Sequence, residues 1–323
     1  MLEGGGSSGS GPSSNQLERS KTVGEAHLKE DERQLETAEA TTRDMRWRAL
    51  ENYGKALVES DDHDDKILRF TALWLAHADD DDLNRKLRKA VKAIPSHKFV
   101  FLAYQLSARL SDPVEPTPFS KAVRELVERL CTDHPYHSVF PVNALRDITS
   151  SVSSSSKSSR SSRRSSTAPT EANVSNKSRA QAANDVIAKV RVKPALSARI
   201  SAIELACDAY REWAEVDLKA SANNYTNGPK GAVKKGLLVI LKSAKIVSEL
   251  RNLPIPVTSY DLAVDPTCRY EPGSFPSIVK YKETFQNAGG MNMPKIVWCI
   301  GSDGVEYKQL VSRARYRVSK SGG

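Results

Sequence analysis

The sequence lacks the features that mark membrane, secreted and zinc- or redox-motif proteins. It has no run of about eighteen uncharged apolar residues, and its Gly/Ser-rich start does not read as a secretory signal. The four cysteines form no Cys-x-x-Cys pair, which is typical of reduced thiols in an intracellular protein and predicts neither a zinc nor a redox motif. The 323-residue chain has room for two domains, and its 39% of hydrophobic residues suits a soluble globular protein with disordered parts.

The net charge of +9 is confined to two short segments. Residues 150–180 carry a net +5 and residues 305–323 a net +4, so the rest of the chain is neutral. A folded nucleic-acid-binding face needs cations clustered on a structured domain. A DNA-binding protein would therefore have to keep a strong, salt-dependent affinity after both basic segments are removed.

Apolar residues recur at helical spacing through much of the chain. The predicted stripes are Trp47, Leu50, Tyr53 and Leu57; Ile67, Phe70, Trp74 and Ala78; Phe99, Leu102, Leu106 and Leu110 after an N-cap at Ser96; Val123, Leu126, Val127 and Leu130; and Ile203, Cys207, Tyr210 and Trp213. Short helices in series predict an α-solenoid, in which each repeat buries its apolar face against its neighbours. This arrangement indicates a piece of a larger helical array.

Two other composition changes divide the chain. Twelve of the seventeen residues at 150–166 are serine, which cannot bury enough apolar surface to offset chain entropy, so a disordered loop is predicted there. After Pro254 the pattern becomes strand-like: residues 257–264 are β-prone, and 296–300 suits a buried strand. The turn residues at 302–304 then predict a hairpin.

Four blocks occur in a characteristic order: YQLSARL at 104–110, DHPYHSVF at 133–140, CDAY at 207–210 and AGGMNMPKIVWCIGSDG at 288–304. Together they resemble the ATM/Tel branch of the phosphatidylinositol-3-kinase-related Ser/Thr protein kinases. The resemblance covers roughly residues 45–311 apart from the serine-rich insertion. It implies a mainly α fold, in which a FAT-type helical solenoid segment is followed by an incomplete β-rich kinase N-lobe.

With the resemblance, the sequence divides into six segments. The predicted segments are a disordered linker at 1–22, FAT-like helical repeats at 23–148, a disordered serine-rich insertion at 149–180, FAT-like helices leading into the kinase at 181–252, a partial kinase N-lobe at 253–311 and a divergent basic tail at 312–323. The helical segments are expected to clamp the kinase, as the family's FAT solenoid does. We expect the basic tail to be unrelated sequence.

The resemblance also implies a nucleotide-binding segment. The family's glycine loop corresponds to Asn287, Ala288, Gly289, Gly290, Met291, Asn292 and Met293. The Gly-Gly pair would allow the backbone to approach ATP phosphates closely. On the residues alone, the same pair indicates only a tight turn between two strands.

The family's phosphate-anchoring lysine falls at Ser312 in this sequence. Lys308 shares that face of the strand but lies about 13 Å away at a rise of about 3.3 Å per residue, and Arg313 points to the opposite side. The tail after Ser312 has no counterpart of the catalytic loop or of the magnesium-binding Asp-Phe-Gly triplet. We assign no catalytic residue and predict that this chain alone transfers no phosphate, although the intact family uses ATP and magnesium.

No metal-binding residue is predicted. His134 and His137 are spaced i, i+3 beside Asp133 but lack a third ligand, so packing and capping are predicted for them. The acidic run Asp79–Asp82 follows a helix and is predicted to be a solvated turn.

The resemblance implies a nuclear kinase that acts on protein substrates in DNA-damage and telomere signalling. It also implies a homodimer that a DNA-break sensor complex recruits, with no membrane partner. The alternative is a non-catalytic helical interaction or scaffold module, in which the hairpin is structural and the basic tail contacts anionic partners. A downstream coding segment with the catalytic and magnesium-binding loops would favour the kinase.

Overall fold

A computed structural model describes residues 14–111, 116–146, 171–215, 232–233, 253–256, 260–282, 285–288 and 294–312. Its α-helices are α1 (Ser14–Glu59), α2 (Lys66–Leu75), α3 (Asp81–Ala93), α4 (Ala103–Ser107), α5 (Pro118–Asp133), α6 (Pro135–Arg146), α7 (Glu171–Arg191) and α8 (Pro194–Glu215). A 3-10 helix, Ser96–Leu102, precedes α4. No described helix has the length and apolarity needed to cross a bilayer.

The described strands form one antiparallel sheet. They are β1 (Ala232–Val233), β2 (Ile278–Tyr281), β3 (Phe285–Asn287), β4 (Lys295–Gly301) and β5 (Glu306–Val311). Strand β4 is central, because β5 pairs along one of its edges while β2 and β3 share the other. The predicted class, mainly α helices followed by a small β-rich part, is confirmed.

The core of the helical part centres on Trp74. Its side chain is fully buried, and its ring lies edge-on to that of Phe119, with the centroids 5.7 Å apart. Its indole Nε1 donates to Oδ1 of the buried Asn84 at 2.8 Å, which satisfies the one polar atom of the ring. The Asn84 amide in turn donates to the backbone oxygens of His77 and Asp80. This side chain thus fixes the turn between α2 and α3.

The acidic run after α2 contains one structural carboxylate. Asp80 is the N-cap of α3, and its Oδ1 accepts from the backbone N–H of Leu83 at 3.0 Å. Asp79, Asp81 and Asp82 are exposed, as expected of a solvated turn. Thr117 caps α5 in the same way, by accepting from the N–H of Ser120.

A buried ammonium group ties the turn after α1 to the 3-10 helix. Lys98 is 3% exposed, and its Nζ lies 2.8 Å from Oδ1 of both Asp61 and Asp64 and donates to the Ser60 carbonyl. Burial lowers the pKa of Lys98, but the hydrogen bonds to the two carboxylates outweigh it, so the pKa is raised. The ammonium compensates one of the two negative charges of this acidic pair, which lies beside His97.

The structure corrects several sequence boundaries. Helix α1 begins at Ser14, inside the predicted linker 1–22, and α7 begins at Glu171, inside the predicted insertion 149–180. Neither helix start contains glycine or proline, so nothing local stops the helix. The serine-rich residues 147–170 and the tail residues 313–323 lie outside the described part of the chain.

Two secondary-structure predictions were wrong. Residues 260–264 form no strand, although β-prone side chains occur there, because the Leu262 carbonyl accepts from a histidine of α6 instead of pairing with another strand. The single helix predicted after Ser96 is divided into the 3-10 helix and α4. The buried Lys98 lies in that first segment, where it bonds to the turn after α1.

Candidate functional site

The inner face of the sheet rests on helix α8. Tyr210 of α8 lies 2.6 Å from Tyr281 of β2, measured between the phenolic oxygens, and it donates to Oε1 of Gln309 on β5 at 2.9 Å. The rings of Trp213 and Tyr281 meet edge-on with their centroids 4.8 Å apart. Burial raises the pKa of both tyrosines, so both phenols keep their protons and act as hydrogen-bond donors. These contacts fix the sheet's orientation on the last described helix.

Lys295 makes a second connection between the sheet and α8. Its side chain is buried at the start of β4, and its Nζ donates to the Ala214 carbonyl in the last turn of α8 at 3.0 Å. Terminal carbonyls of a helix lack partners within the helix and carry partial negative charge. The ammonium group therefore satisfies both the hydrogen bond and the charge. Sequence reasoning missed this residue.

The β4–β5 hairpin presents an outer face opposite α8. Alternate residues of β4 are buried, which leaves Ile296, Trp298 and Ile300 half-buried on the outer side. The turn follows the sequence prediction, with Gly304 at φ 78° and the Gly301 N–H donating to the Val305 carbonyl at 3.0 Å. The predicted strands at 296–300 and 307–311 are confirmed.

Ser312 follows β5 directly and is exposed. Because Gln309 and Val311 are buried, the alternation of the strand places Lys308 on the outer side, as it does Ser312. Another outer-face cation, Lys282, is paired with Glu306 at 2.6 Å and lies over the Trp298 ring. The end of β5 thus carries a hydroxyl at 312, and Lys308 lies four residues back on the same side of the strand.

The predicted glycine-loop segment joins two paired strands. Asn287 at its start is in register with Lys295, and the Ala288 N–H donates to the Pro294 carbonyl at 2.8 Å. Strands β3 and β4 are antiparallel, so the segment is the connection of a hairpin. Gly289, Gly290, Met291, Asn292 and Met293 lie outside the described residues. Their contact with phosphate stays a prediction.

The two histidines of the DHPYHSVF block bind the segment that leads into the sheet. Tyr270 Oη lies 2.7 Å from Nδ1 of His134 and 3.3 Å from Nδ1 of His137, and Nε2 of His137 lies 3.0 Å from the Leu262 carbonyl. Burial is the main cause that lowers the pKa of both rings, to about 4 for His134. Neutral rings are therefore expected. Their role is packing and hydrogen bonding.

The same cluster contains serine, histidine and aspartate but lacks the geometry of a nucleophilic triad. Ser96 Oγ donates to Oδ2 of Asp133 at 2.7 Å. The serine Oγ also lies 3.2 Å from Nε2 of His134. A hydroxyl that donates to the carboxylate is not activated by the imidazole. With Tyr270 donating to Nδ1 of His134, the Nε2–H of that ring donates to Oγ of Ser96.

Known proteins resemble this chain in both sequence and structure. The serine-protein kinase ATM of Sus scrofa is 31% identical over 267 residues, which are 82% of this chain and 8% of that protein. A solved structure of the FAT and kinase domain of CtTel1 superposes with a TM-score of 0.67 at 28% identity, covering 92% of this chain and 18% of that one. This chain belongs to the ATM/Tel family.

The similarity to ATM/Tel proteins covers a small share of each relative. A solved complete CtTel1 dimer with C2 symmetry also matches, with a TM-score of 0.67 and 27% identity over 92% of this chain and 10% of that one. No family model matches the sequence. The 323 residues thus correspond to less than a fifth of the length of these relatives. The described helices and sheet match a FAT segment followed by part of a kinase N-lobe.

Proposed function

We propose that this chain forms the junction between the FAT solenoid and the kinase N-lobe in an ATM/Tel-type serine/threonine kinase. The observation that carries the proposal is the seating of the sheet on α8 through Tyr210 and Lys295, in a fold shared with the Tel1 FAT and kinase domain. The helices would hold the β4–β5 hairpin in a fixed position beside the nucleotide. The intact protein would phosphorylate proteins in DNA-damage and telomere signalling.

Phosphoryl transfer depends mainly on positioning and on stabilising the charge of the transferred group. The segment 287–293 is proposed to cover the phosphates, and the half-buried outer face around Trp298 to form one wall of the cleft. When magnesium is bound in a kinase, it neutralises charge on the phosphates. The described residues do not fit a complete site, because Ser312 carries no charge and Lys282 is already paired with Glu306. We therefore propose that the chain alone is inactive.

A chimera tests the proposal. Residues 45–312 of this chain would replace the matching segment of the pig ATM relative, once with Ser312 and once with Ser312→Lys. We expect the lysine version to phosphorylate a Ser/Thr peptide with ATP, and the serine version to be slower by about a hundredfold, since one lost electrostatic contact to a transition state has an effect of that order. Equal rates in both versions would contradict the phosphate-anchoring role of position 312.

Folding of the chimera is checked separately from its activity. A cooperative thermal unfolding transition close to that of the parent kinase would show that the chimera folds with the inserted segment. A well-folded lysine version without any phosphotransfer would contradict the proposed junction function. The purified 323-residue chain, assayed beside it, should transfer no phosphate.

The remaining features of the family are proposed for the intact protein. The solved CtTel1 relative is a C2 dimer, which supports a homodimer here. Protein substrates, a nuclear location and recruitment by a DNA-break sensor complex follow from the family resemblance, and no described helix could span a membrane.

A further inference from the structure

A groove with a cavity of about 620 Å³ opens between α3, α5 and the end of α7. It is separate from the sheet and from the proposed nucleotide segment. One rim consists of basic residues of α3, at positions 85, 88, 89 and 92, and the opposite rim contains Lys189 and Lys193. On α3 these spacings place the basic side chains on one face of the helix. The groove is therefore lined by cations on both sides.

Part of this charge is already compensated and part is not. Arg88 forms a fork-like pair with Glu125, and its Nε lies 2.9 Å from Oε2 of that carboxylate. Lys189 pairs with Glu128 in the same groove. Neither Lys89 nor Lys92 forms a salt bridge with a residue in the described ranges. These two lysines make the α3 side of the groove positive, although Lys92 is close enough to Glu125 to contribute to the lowered pKa of that carboxyl.

The floor of the groove is apolar. It is formed by Val91, Ala122, Leu126 and Val190, which belong to the helical core and are each at most 3% exposed, so most of the apolar surface open to a ligand comes from the rim side chains. The alkyl stems of the rim lysines extend this surface, because long cationic side chains cover apolar area while their charged ends stay in water. A surface with an apolar floor and two positive rims is complementary to a helix with one apolar face and acidic flanks.

We propose that this groove binds an acidic amphipathic helix of a partner protein. The apolar face of that helix would contact the alkyl stems of the rim lysines above Val91 and Leu126, and its carboxylates would lie against the ammonium groups of Lys89, Lys92 and Lys193. Nucleic acid fits less well, since its stacked bases and phosphates make little use of aliphatic surface between the two rims. The positive charge of the groove is a local feature, because the chain outside its two basic segments is neutral overall.

The test uses the 323-residue chain and a fluorescein-labelled peptide of about fifteen residues, with leucines at helical a and d spacing and glutamates on the flanks. Fluorescence anisotropy measures the Kd of this probe and of a peptide with the same composition in scrambled order. The groove variant is Lys89→Glu with Lys92→Glu. The matched control is Arg69→Glu with Lys121→Glu, which changes the charge equally at exposed sites that do not line the groove.

We expect the amphipathic probe to bind the wild-type chain and the control variant with similar Kd, and the groove variant to bind about tenfold more weakly or worse. The scrambled peptide should bind as weakly as the probe binds the groove variant. The proposal is overturned if the probe does not bind, if both peptides bind equally, or if the groove variant keeps wild-type affinity. Circular dichroism confirms that each variant is folded.

Two other occupants are distinguished in the same series. Tight binding of a single-stranded oligothymidine that is lost in the groove variant, without binding of the peptide, would assign the groove to a polyanion and overturn the proposal. Self-association of the wild-type chain in sedimentation equilibrium that the groove variant abolishes, again without peptide binding, would assign it to a second copy and overturn it as well.

Discussion

The helical part and the sheet part of this chain are stabilised in different ways. In the helical part, Trp74, Phe70 and Phe99 pack between elements that lie close together in sequence, and the aromatic core is continuous. The sheet instead depends on distant residues, since Lys295 bonds to a carbonyl 81 residues earlier and Tyr210 to Gln309 across 99 residues. The helices supply their own core, whereas the sheet completes its core with α8.

This difference predicts a direction of dependence. Loss of the helical core should remove the platform of the sheet, whereas loss of a sheet contact should leave the helices folded. In the proposed kinase, the FAT helices would therefore determine the position of the N-lobe strands. The following variants test it in order of decreasing effect.

Trp74→Ala should have the largest effect. It removes a fully buried ring and its hydrogen bond to Asn84, which costs about 4 kcal/mol of unfolding free energy for a residue of this size. Urea unfolding followed by circular dichroism measures the loss, and hydrogen exchange should show that β4 is deprotected along with α3. The control is Trp298→Ala, a half-buried ring on the outer face of the sheet. If the two variants lose equal stability, the sheet does not depend on the helical core.

Lys295→Met should separate the two parts. Methionine keeps the length of the side chain but removes the ammonium that caps the Ala214 carbonyl, and a hydrogen bond to a charged group contributes about 2 to 3 kcal/mol. Amide exchange should accelerate in β4 and β5 and stay unchanged in α3 and α5. The matched control is Lys308→Met on the exposed outer side, which should alter neither part. Equal acceleration in the helices would show that the parts unfold as one unit.

Some features of the structure were predictable from the sequence alone and others were not. The hairpin was predictable because its signals are local: an apolar run at 296–300 followed by Ser302, Asp303 and Gly304. The packing role of His134 was predictable as well, because no third metal ligand lay nearby. Its partner was not, since Tyr270 is 136 residues away and only the tertiary fold brings them together.

Lys295 shows the same limit. In the sequence it is one of many lysines, and nothing near it indicates that its charge will be buried against a helix terminus. Residues 260–264 show the opposite error, because their β propensity is overridden by a tertiary hydrogen bond from His137 of α6. Local chemistry was reliable for turns and helix stripes, and it failed where a side chain meets a distant partner.

Acidification should weaken the tie between α6 and the segment leading into the sheet. The pKa of His134 is lowered to about 4, mainly by burial, from an ordinary value of 6.5. The ring is therefore neutral in the folded state, and its contribution is complete above pH 6.5 and is lost as pH falls towards 4. Between pH 8 and pH 5 this histidine should reduce the unfolding free energy by about 2 kcal/mol.

Urea unfolding at pH 8, 6.5 and 5 measures this effect. The wild-type chain should lose more stability over this range than His134→Gln, in which position 134 carries no imidazole to titrate. The exposed His27→Gln is the control and should follow the wild-type pH dependence. If His134→Gln shows the same slope as the wild type, the histidine is not the source of the pH dependence.

Asp80→Ala should have the smallest effect and should stay within the helical part. The substitution removes the oxygen that accepts from the Leu83 N–H at the start of α3, and the loss of such an N-cap costs about 1 kcal/mol. Its other carboxylate oxygen lies 3.7 Å from Nη1 of Arg46, a partly exposed pair that adds little. The neighbouring Asp79→Ala removes the same charge without a cap and should cost less than half as much. Because α3 packs mainly against α1 and α5, amide exchange should change in α3 while β4 stays protected. Deprotection of β4 by so small a local change would mean that the sheet depends on the whole helical array and not on α8 alone.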